Sequence, residues 1–163
     1  MFLETFHCLY MHHLHGTSTY YNNNIVLQRS YNYATKFVES IVIDFQLQMF
    51  SLEISNVYIA PHAHLHDIFH YLDSVMQNAI HRTYTKFGGD FNIDMSGLSN
   101  MQQRLLYFMH SMNFKLHMTK STCIANFIID HFWTNFPDDR IEFKISEAYW
   151  TDHNAIHISI PIF

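Results

Sequence analysis

Residues 88–94 read Gly88-Gly89-Asp90-Phe91-Asn92-Ile93-Asp94. A short strand-like run, 84–88, leads into the glycine pair, and a carboxylate and a carboxamide follow one residue apart. On an extended chain, alternation puts Asp90 and Asn92 on one side and Phe91 on the other. A carboxylate beside an amide suits a hard cation together with a water or phosphate oxygen. Gly, Asp and Asn are also turn formers, so the same stretch reads equally well as a plain turn.

The flanking pattern alternates in type. Residues 37–45 (FVESIVIDF) and 49–59 (MFSLEISNVYI) are rich in Val, Ile and Phe and read as strands. Residues 65–80 carry Leu65, Ile68, Phe69, Leu72, Val75, Met76, Ala79 and Ile80 at three- and four-residue steps, one apolar stripe of a helix. A second helix is expected over 98–112, with Leu98, Met101, Leu105, Phe108, Met109 and Met112 on one side. Short strands are expected near 114–118 and 126–130, and 156–162 alternates as a half-buried strand does, with Pro161 at an edge or past the ladder. Strands interleaved with helices imply a layered α/β or α+β domain. Met109, Met112 and the Phe side chains are expected in the core, and Phe91 behind the Asp90/Asn92 pair.

Two further stretches carry chemistry. In Ile128-Ile129-Asp130-His131-Phe132 an acid follows an apolar run, so Asp130 is expected at a strand end near the core, where a charge needs a partner. In Trp150-Thr151-Asp152-His153-Asn154 an Asp and a His stand together just before the last strand. An imidazole titrates near neutral pH, and an acidic partner raises its basicity and fixes its tautomer. Each stretch alone is more often an ordinary solvated surface pair.

Composition narrows the classes. The 163 residues suit one domain, 1–163, and residues 1–87 (four basic, six acidic) and 88–163 (five basic, eight acidic) show no boundary in charge. Hydrophobic residues make up 48% and charged ones 14%, against about 25% in average domains, which excludes a disordered chain. Nine Lys+Arg against fourteen Asp+Glu give a net charge of −5, which argues against holding nucleic acid by bulk charge. Cys8 and Cys123 form no CxxC and fit a reducing compartment. No apolar run approaches a membrane span, and the first residues lack the pattern of a secretory signal.

Taken together and in order, these motifs resemble the endonuclease/exonuclease/phosphatase superfamily, which includes pancreatic DNase and apurinic endonucleases, and most of all the endonuclease domains of mobile elements, the non-LTR retrotransposons and Helitron-type transposons. The matching stretches are Gly16–Tyr21, Asn56–Pro61, GGDFNID at 88–94, IDHFWTN at 129–135 and YWTDHNAI at 149–156. Thr151 stands where the family usually has Ser. The resemblance implies a DNase I-like α/β fold, a four-layer sandwich of two mixed β-sheets flanked by helices, and metal-dependent phosphodiester hydrolysis with Mg²⁺ or Mn²⁺. It implies that Asp90 orients the attacking water, Asn92 orients the phosphate, Asp130 pairs with His153 at the scissile phosphate, Tyr58 offers its hydroxyl, and Asp152 sits at the metal.

The family begins with an Asn-bearing strand and then a metal-binding Glu. Only Leu3-Glu4-Thr5-Phe6 offers the second, so Glu4 is a weak candidate ligand and the domain is expected to be incomplete at its N-terminus. The expected activity is DNA nicking within a mobile element's larger polyprotein, beside a reverse transcriptase or helicase. That places it inside the cell, and in the nucleus, with DNA as partner and no membrane. The alternatives are a phosphatase of the same fold, an inactive remnant, and a zinc-binding structural protein. The zinc alternative rests on His12-His13-Leu14-His15 and on His62, His64, His66 and Asp67. Alternating histidines suit Zn²⁺, but here His66 precedes Asp67, the reverse of the order in a histidine-rich metallonuclease motif.

Overall fold

The structure, a computed structural model, describes residues 6–11, 17–22, 25–47, 50–78, 83–118, 120–123, 125–136, 141–149 and 151–159. Its centre is a six-stranded mixed sheet. In spatial order the strands are β3 (Leu27–Ala34), β4 (Val38–Gln46), β5 (Ser51–Ile59), β6 (Thr83–Asp90), β8 (Asp130–Thr134) and β7 (Lys115–Leu116). Neighbours are antiparallel except β5 and β6, which run parallel and are joined by the helix α1 (Leu65–Asn78). Two antiparallel ladders complete the strands: β1 (Phe6–Met11) with β2 (Thr17–Asn22), and β9 (Glu142–Ser146) with β10 (Ala155–Ser159).

The layers follow from which face each side chain takes. On β4, Val38, Ser40, Val42 and Asp44 face α1, while Glu39, Ile41, Ile43 and Phe45 face the other way, and all eight are buried. A strand covered on both faces loses the apolar-polar alternation and reads as a continuous run. On the helix side, Ile68, Tyr71, Leu72 and Val75 of α1 pack with Val38, Val42, Val57 and Phe87. The second helix, α2 (Asn100–Ser111), adds Leu105 and Met109, and Phe69 stacks on Phe108 at 4.4 Å. In this layer the Tyr71 hydroxyl donates to Ser40 Oγ at 2.9 Å and also bonds Ser55 Oγ, so three buried hydroxyls satisfy one another.

The ladders lie on the opposite face. Asn56 Nδ2 donates to the Ser18 carbonyl (2.9 Å), and Tyr21 meets Phe45 edge-on at 5.6 Å, which seats β2 over β4 and β5. Phe143 meets Phe132 at 5.4 Å, which seats β9 over β8. This is the layered α/β sandwich that the motifs imply. Among the described residues both helices cover the same side.

The expected elements at 37–45, 49–59, 65–80, 84–88 and 98–112 form with bounds shifted by a few residues, and Ala79, Ile80 and Pro161 lie outside the described residues. Three strands went unread: β1, β3 and β9. In β3 the inward residues are Arg29, Tyr31 and Tyr33, and polar or aromatic side chains at an edge hide the alternation. The strand expected at 126–130 is corrected: β8 begins at Asp130. Residues 126–129 do not join the ladder, because Ile128 N–H donates to Asp94 Oδ1, Ile129 N–H to Thr122 Oγ1, and Asn126 has φ 64°. Leu98 and Met112 are corrected too, at 86% and 38% exposed. Ser99 caps α2 by accepting Gln102 N–H at 3.1 Å, so Leu98 precedes the helix and Met112 follows it.

Gly89 holds β6 against β5. Its φ is +135°, and a Cβ there would lie 2.0 Å from the Val57 carbonyl oxygen, a backbone atom that cannot step aside. Gly89→Ala is therefore expected to destabilise the fold by roughly 3–5 kcal/mol, read from the denaturant midpoint. At the far end of β4 and β5, Asp44 and Glu53 are a buried cross-strand pair sharing Arg29, whose Nε reaches Asp44 at 2.6 Å. Burial, and then the Asp44 charge, push Glu53 up to about 8. The folded-state pKa lies above the ordinary 4.5, so this stabilising proton is fully present below that value and is lost as pH rises through about 8. Glu53→Gln removes that loss. Between about pH 5 and about pH 8 the Tm of the variant should gain steadily on the wild type and then level off, and parallel Tm profiles would refute the buried acid pair.

Candidate active site

Strand register assembles the site. Glu39 on β4 pairs with Tyr58 on β5, Tyr58 with Asp90 on β6, and Asp90 with Asp130 on β8. Residues opposed in a ladder share a face, so one row crosses four strands on the ladder side of the sheet. His153, just before β10, completes it. Its Nδ1 lies 3.0 and 2.9 Å from the two Asp130 carboxylate oxygens. The geometry suits an Nδ1–H donor, which leaves Nε2 with the lone pair in the neutral ring.

Thr122 and the loops fix this pair. The Asp130 N–H donates to Thr122 Oγ1 (3.1 Å) and Asn154 N–H donates to the Thr122 carbonyl (2.8 Å), while Cys123 bridges to His153 as an isolated antiparallel pair. The His153 N–H donates to Thr151 Oγ1 at 3.3 Å, a bond that Ser would offer equally. Asp152 is exposed and accepts from Thr151 at 3.4 Å. Thr122, fully buried, was not read from the sequence, and nothing in its neighbours marks it. Glu39 was also missed. Its signal, an acid inside an apolar strand run, is visible in FVESIVIDF.

Asp90 ends β6, and Asn92 follows in the left-handed region at φ 49°. The Asn92 N–H donates to Asp90 Oδ1 (2.9 Å), and Nδ2 donates to Asp90 Oδ2 (3.1 Å) and to the Ile59 carbonyl (2.8 Å). The turn and the site are thus the same object. The two side chains meet because Asn92 turns left-handed, not because an extended chain alternates. Phe91 packs behind them, fully buried and stacked on His131 at 4.6 Å. His131 is a core residue. Its Nε2 lies 2.7 Å from the Ile93 carbonyl, Trp133 Nε1 donates to its Nδ1 at 3.4 Å, and burial pushes its pKa down to about 4.

The electrostatics follow the row. Burial raises the Asp90 pKa, and the Asp130 charge adds to this against the Asn92 bonds. Burial, then Asp90 and Glu39, raise the Tyr58 pKa, which keeps its phenol protonated at neutral pH. Burial pulls His153 down, but the Asp130 hydrogen bond and the charges of Asp130, Asp90 and Asp152 outweigh it, so the net shift is upward. The site therefore offers a basic imidazole, a carboxylate held by an amide, and a neutral hydroxyl donor.

Beside Asp130 and Asn154 lies a cavity of about 480 Å³ between the sheet and the ladders, walled by Ser18–Tyr20 of β2 and by Ile156 and Ile158 of β10. Gly88 and Gly89 form part of its floor.

The divalent cation implied by the resemblance needs hard oxygen donors. Mg²⁺ takes one or two carboxylates and keeps several waters, and the carboxylates of Asp90 and Asp152 fit that demand. Among the described residues no three His, Cys, Asp or Glu side chains come together in a group that could hold a metal ion. Glu4 and the His12–His15 cluster lie outside the described residues. His62 and His64 lie in the exposed turn before α1, His66 is exposed on its first turn, and the His64 ring meets Phe37 edge-on at 6.0 Å.

No protein-family profile matches the chain, and neither does any curated protein. Solved structures do. The endonuclease domain of TRAS1, a telomere-specific non-LTR retrotransposon, is 13% identical with a TM-score of 0.73, over 96% of this chain and 79% of that one. An endonuclease/exonuclease/phosphatase family protein from Leptotrichia buccalis C-1013-b is 12% identical with a TM-score of 0.70, over 96% and 71%. The mannosyl-6-phosphatase Bt3783 of Bacteroides thetaiotaomicron VPI-5482 is 10% identical with a TM-score of 0.63, over 88% and 70%. At these identities the likeness is one of fold: the chain has the DNase I-like endonuclease/exonuclease/phosphatase fold.

In metal-free protein, His153 should titrate above 6.5 by NMR, and Asp130→Asn should lower it, since the Asp130 hydrogen bond and charge are the largest upward contributions. An unmoved titration would refute the pairing.

Proposed function

We propose that the chain hydrolyses phosphodiester bonds in DNA with a divalent cation, nicking one strand as the endonuclease domain of a mobile element. The observation that carries this reading is the Asp130–His153 pair, standing in register beside Asp90 and Asn92. In this reading His153 Nε2 contacts the scissile phosphate and exchanges a proton there, with Asp130 holding the ring and stabilising its charged form. Asp90 accepts a proton of the attacking water and orients it, and Asn92 keeps that carboxylate aimed. Tyr58, a protonated phenol, donates to a phosphate oxygen as charge develops. Asp152 and Asp90, with Glu4 as a further candidate, would hold the divalent cation, which would supply Lewis-acid stabilisation of the phosphate.

The fold shared with a retrotransposon endonuclease domain supports the mobile-element assignment, as does the motif order from GGDFNID to TDH. In that setting the chain acts on nuclear DNA as part of a polyprotein with a reverse transcriptase or helicase.

Purified protein incubated with supercoiled plasmid and Mg²⁺ should yield open circles, and chelator should stop it. His153→Ala is expected to slow nicking by about 10²- to 10⁴-fold. Nicking that survives chelator or the substitution would sink the proposal. Phosphate release from a sugar phosphate without any nicking would select the phosphatase of the same fold.

A further inference from the structure

Among the described residues β2 has β1 as its strand partner and β10 has β9, so the layer over the sheet is split into two separate ladders. A two-stranded ladder is marginal by itself, and an open strand edge presents a row of backbone N–H and C=O groups that need partners. The cavity of about 480 Å³ has Thr19 of β2 in one wall and Ile156 and Ile158 of β10 in the other, over a floor that includes Ile54, Gly88 and Phe132. No residue of β9 lines it, so it lies along the edge of β10 turned away from β9. Beyond β9, no described backbone group bonds to residues 155–159. Ile156 and Ile158 are half-buried while His157 and Ser159 are exposed, so β10 has the alternation of a strand covering a core.

A buried cation stands beside this floor. Lys86 rises from the same face of β6 as Gly88 and opposes Ile54 in the ladder, and both of those residues line the cavity. Lys86 is 6% exposed, and its neighbour on β8 is Thr134, which carries no charge. Desolvation alone pulls its pKa down to about 8, with no carboxylate contributing. Asp44 and Glu53 project from the opposite face, toward α1. Glu39, Asp90 and Asp130 share the face of Lys86 but stand four residues further along their strands, about 13 Å away. An ammonium buried without an acid is costly, and a carboxylate brought to it removes that cost.

We infer that an extended segment of another polypeptide enters between β2 and β10 and pairs with the open edge of β10, turning apolar side chains and one carboxylate toward the sheet, where the carboxylate meets Lys86. A second strand is the partner that answers a strand edge in full, because its N–H and C=O groups repeat at the spacing of the ladder. Main-chain bonds supply the affinity, and the side chains at alternate positions supply the choice of peptide. β10 begins two residues after His153, so the added strand also steadies the loop that carries the imidazole. The inference does not depend on the phosphodiesterase reading, and its test measures no turnover.

The test is fluorescence anisotropy of the full chain with the labelled peptide KTVTITETK, whose Val, Ile and Glu share one face of a strand. Two controls accompany it: KTVPITETK, in which a proline removes a ladder donor, and KTVTITQTK, in which the acid is an amide. The proline peptide should bind at least about ten-fold more weakly, and the amide peptide about five-fold more weakly. Lys86→Met should abolish the preference for Glu over Gln while leaving the effect of the proline. Hydrogen exchange with the first peptide bound should show new protection at those amides of Ala155–Ser159 that do not donate to β9. Absence of binding, equal binding of the proline peptide, or protection confined to other strands overturns the inference, and each of these is read on the unmodified protein. Equal binding of the Glu and Gln peptides overturns the part given to Lys86. A concentration-dependent dimer protected at β10 without peptide assigns the edge to a second copy of the chain and overturns the peptide as its occupant.

Discussion

The register of β6 between β5 and β8 is the constraint on which the rest of the structure depends. It puts Tyr58, Asp90 and Asp130 side by side at one end of the sheet, facing the ladder layer. A slip of one residue would turn every side chain of β6 to the opposite face, sending Phe87 out of the helix-side core and Asp90 into it. Gly89 secures the register, because only a residue without Cβ fits its backbone against the Val57 carbonyl. The glycine pair is thus a packing device first, and it delivers the carboxylate that follows it.

Two acidic groupings share the sheet and are handled differently. At one end, Asp44 and Glu53 are buried together, with a single guanidinium between them and Glu53 holding its proton to about pH 8. A buried like-charge pair survives that way, by one member staying neutral. At the other end Asp130 finds an imidazole and Asp90 finds an amide, so both carboxylates stand beside donors. Unequal surroundings of this kind separate the protonation states of neighbouring groups, which acid–base chemistry requires. The net charge of −5 looks different in this light. Part of the excess lies in the row of Glu39, Asp90 and Asp130.

Much of the fold was legible because the strongest signals are periodic. The α1 stripe and the apolar runs of β4 and β5 appear at their places because burial on one or both faces leaves a pattern in the sequence. β3 escaped because its inward positions are Arg29, Tyr31 and Tyr33, which pack on Asp44 and Tyr71 through polar and aromatic contacts and leave no aliphatic alternation. Residues 126–129 looked like a strand by composition. Their hydrogen bonds go to Asp94 and Thr122, partners far away in the chain that no local pattern announces.

By itself, the sequence determined the residue types of the site and their order: an Asp/Asn pair after two glycines, an Asp after an apolar run, an Asp-His before the last strand. Those are local facts, because turn chemistry and strand ends are written within a few residues. The tertiary structure alone decided which of them meet. Asp130 and His153 are 23 positions apart and become partners only because Thr122 and Cys123 draw the two loops together. His131, chemically as capable as His153, is sealed in the core against Phe91 and Trp133. The difference is burial. A strand sends neighbouring side chains to opposite faces, and only the packing of the layers settles which face becomes core and which becomes site.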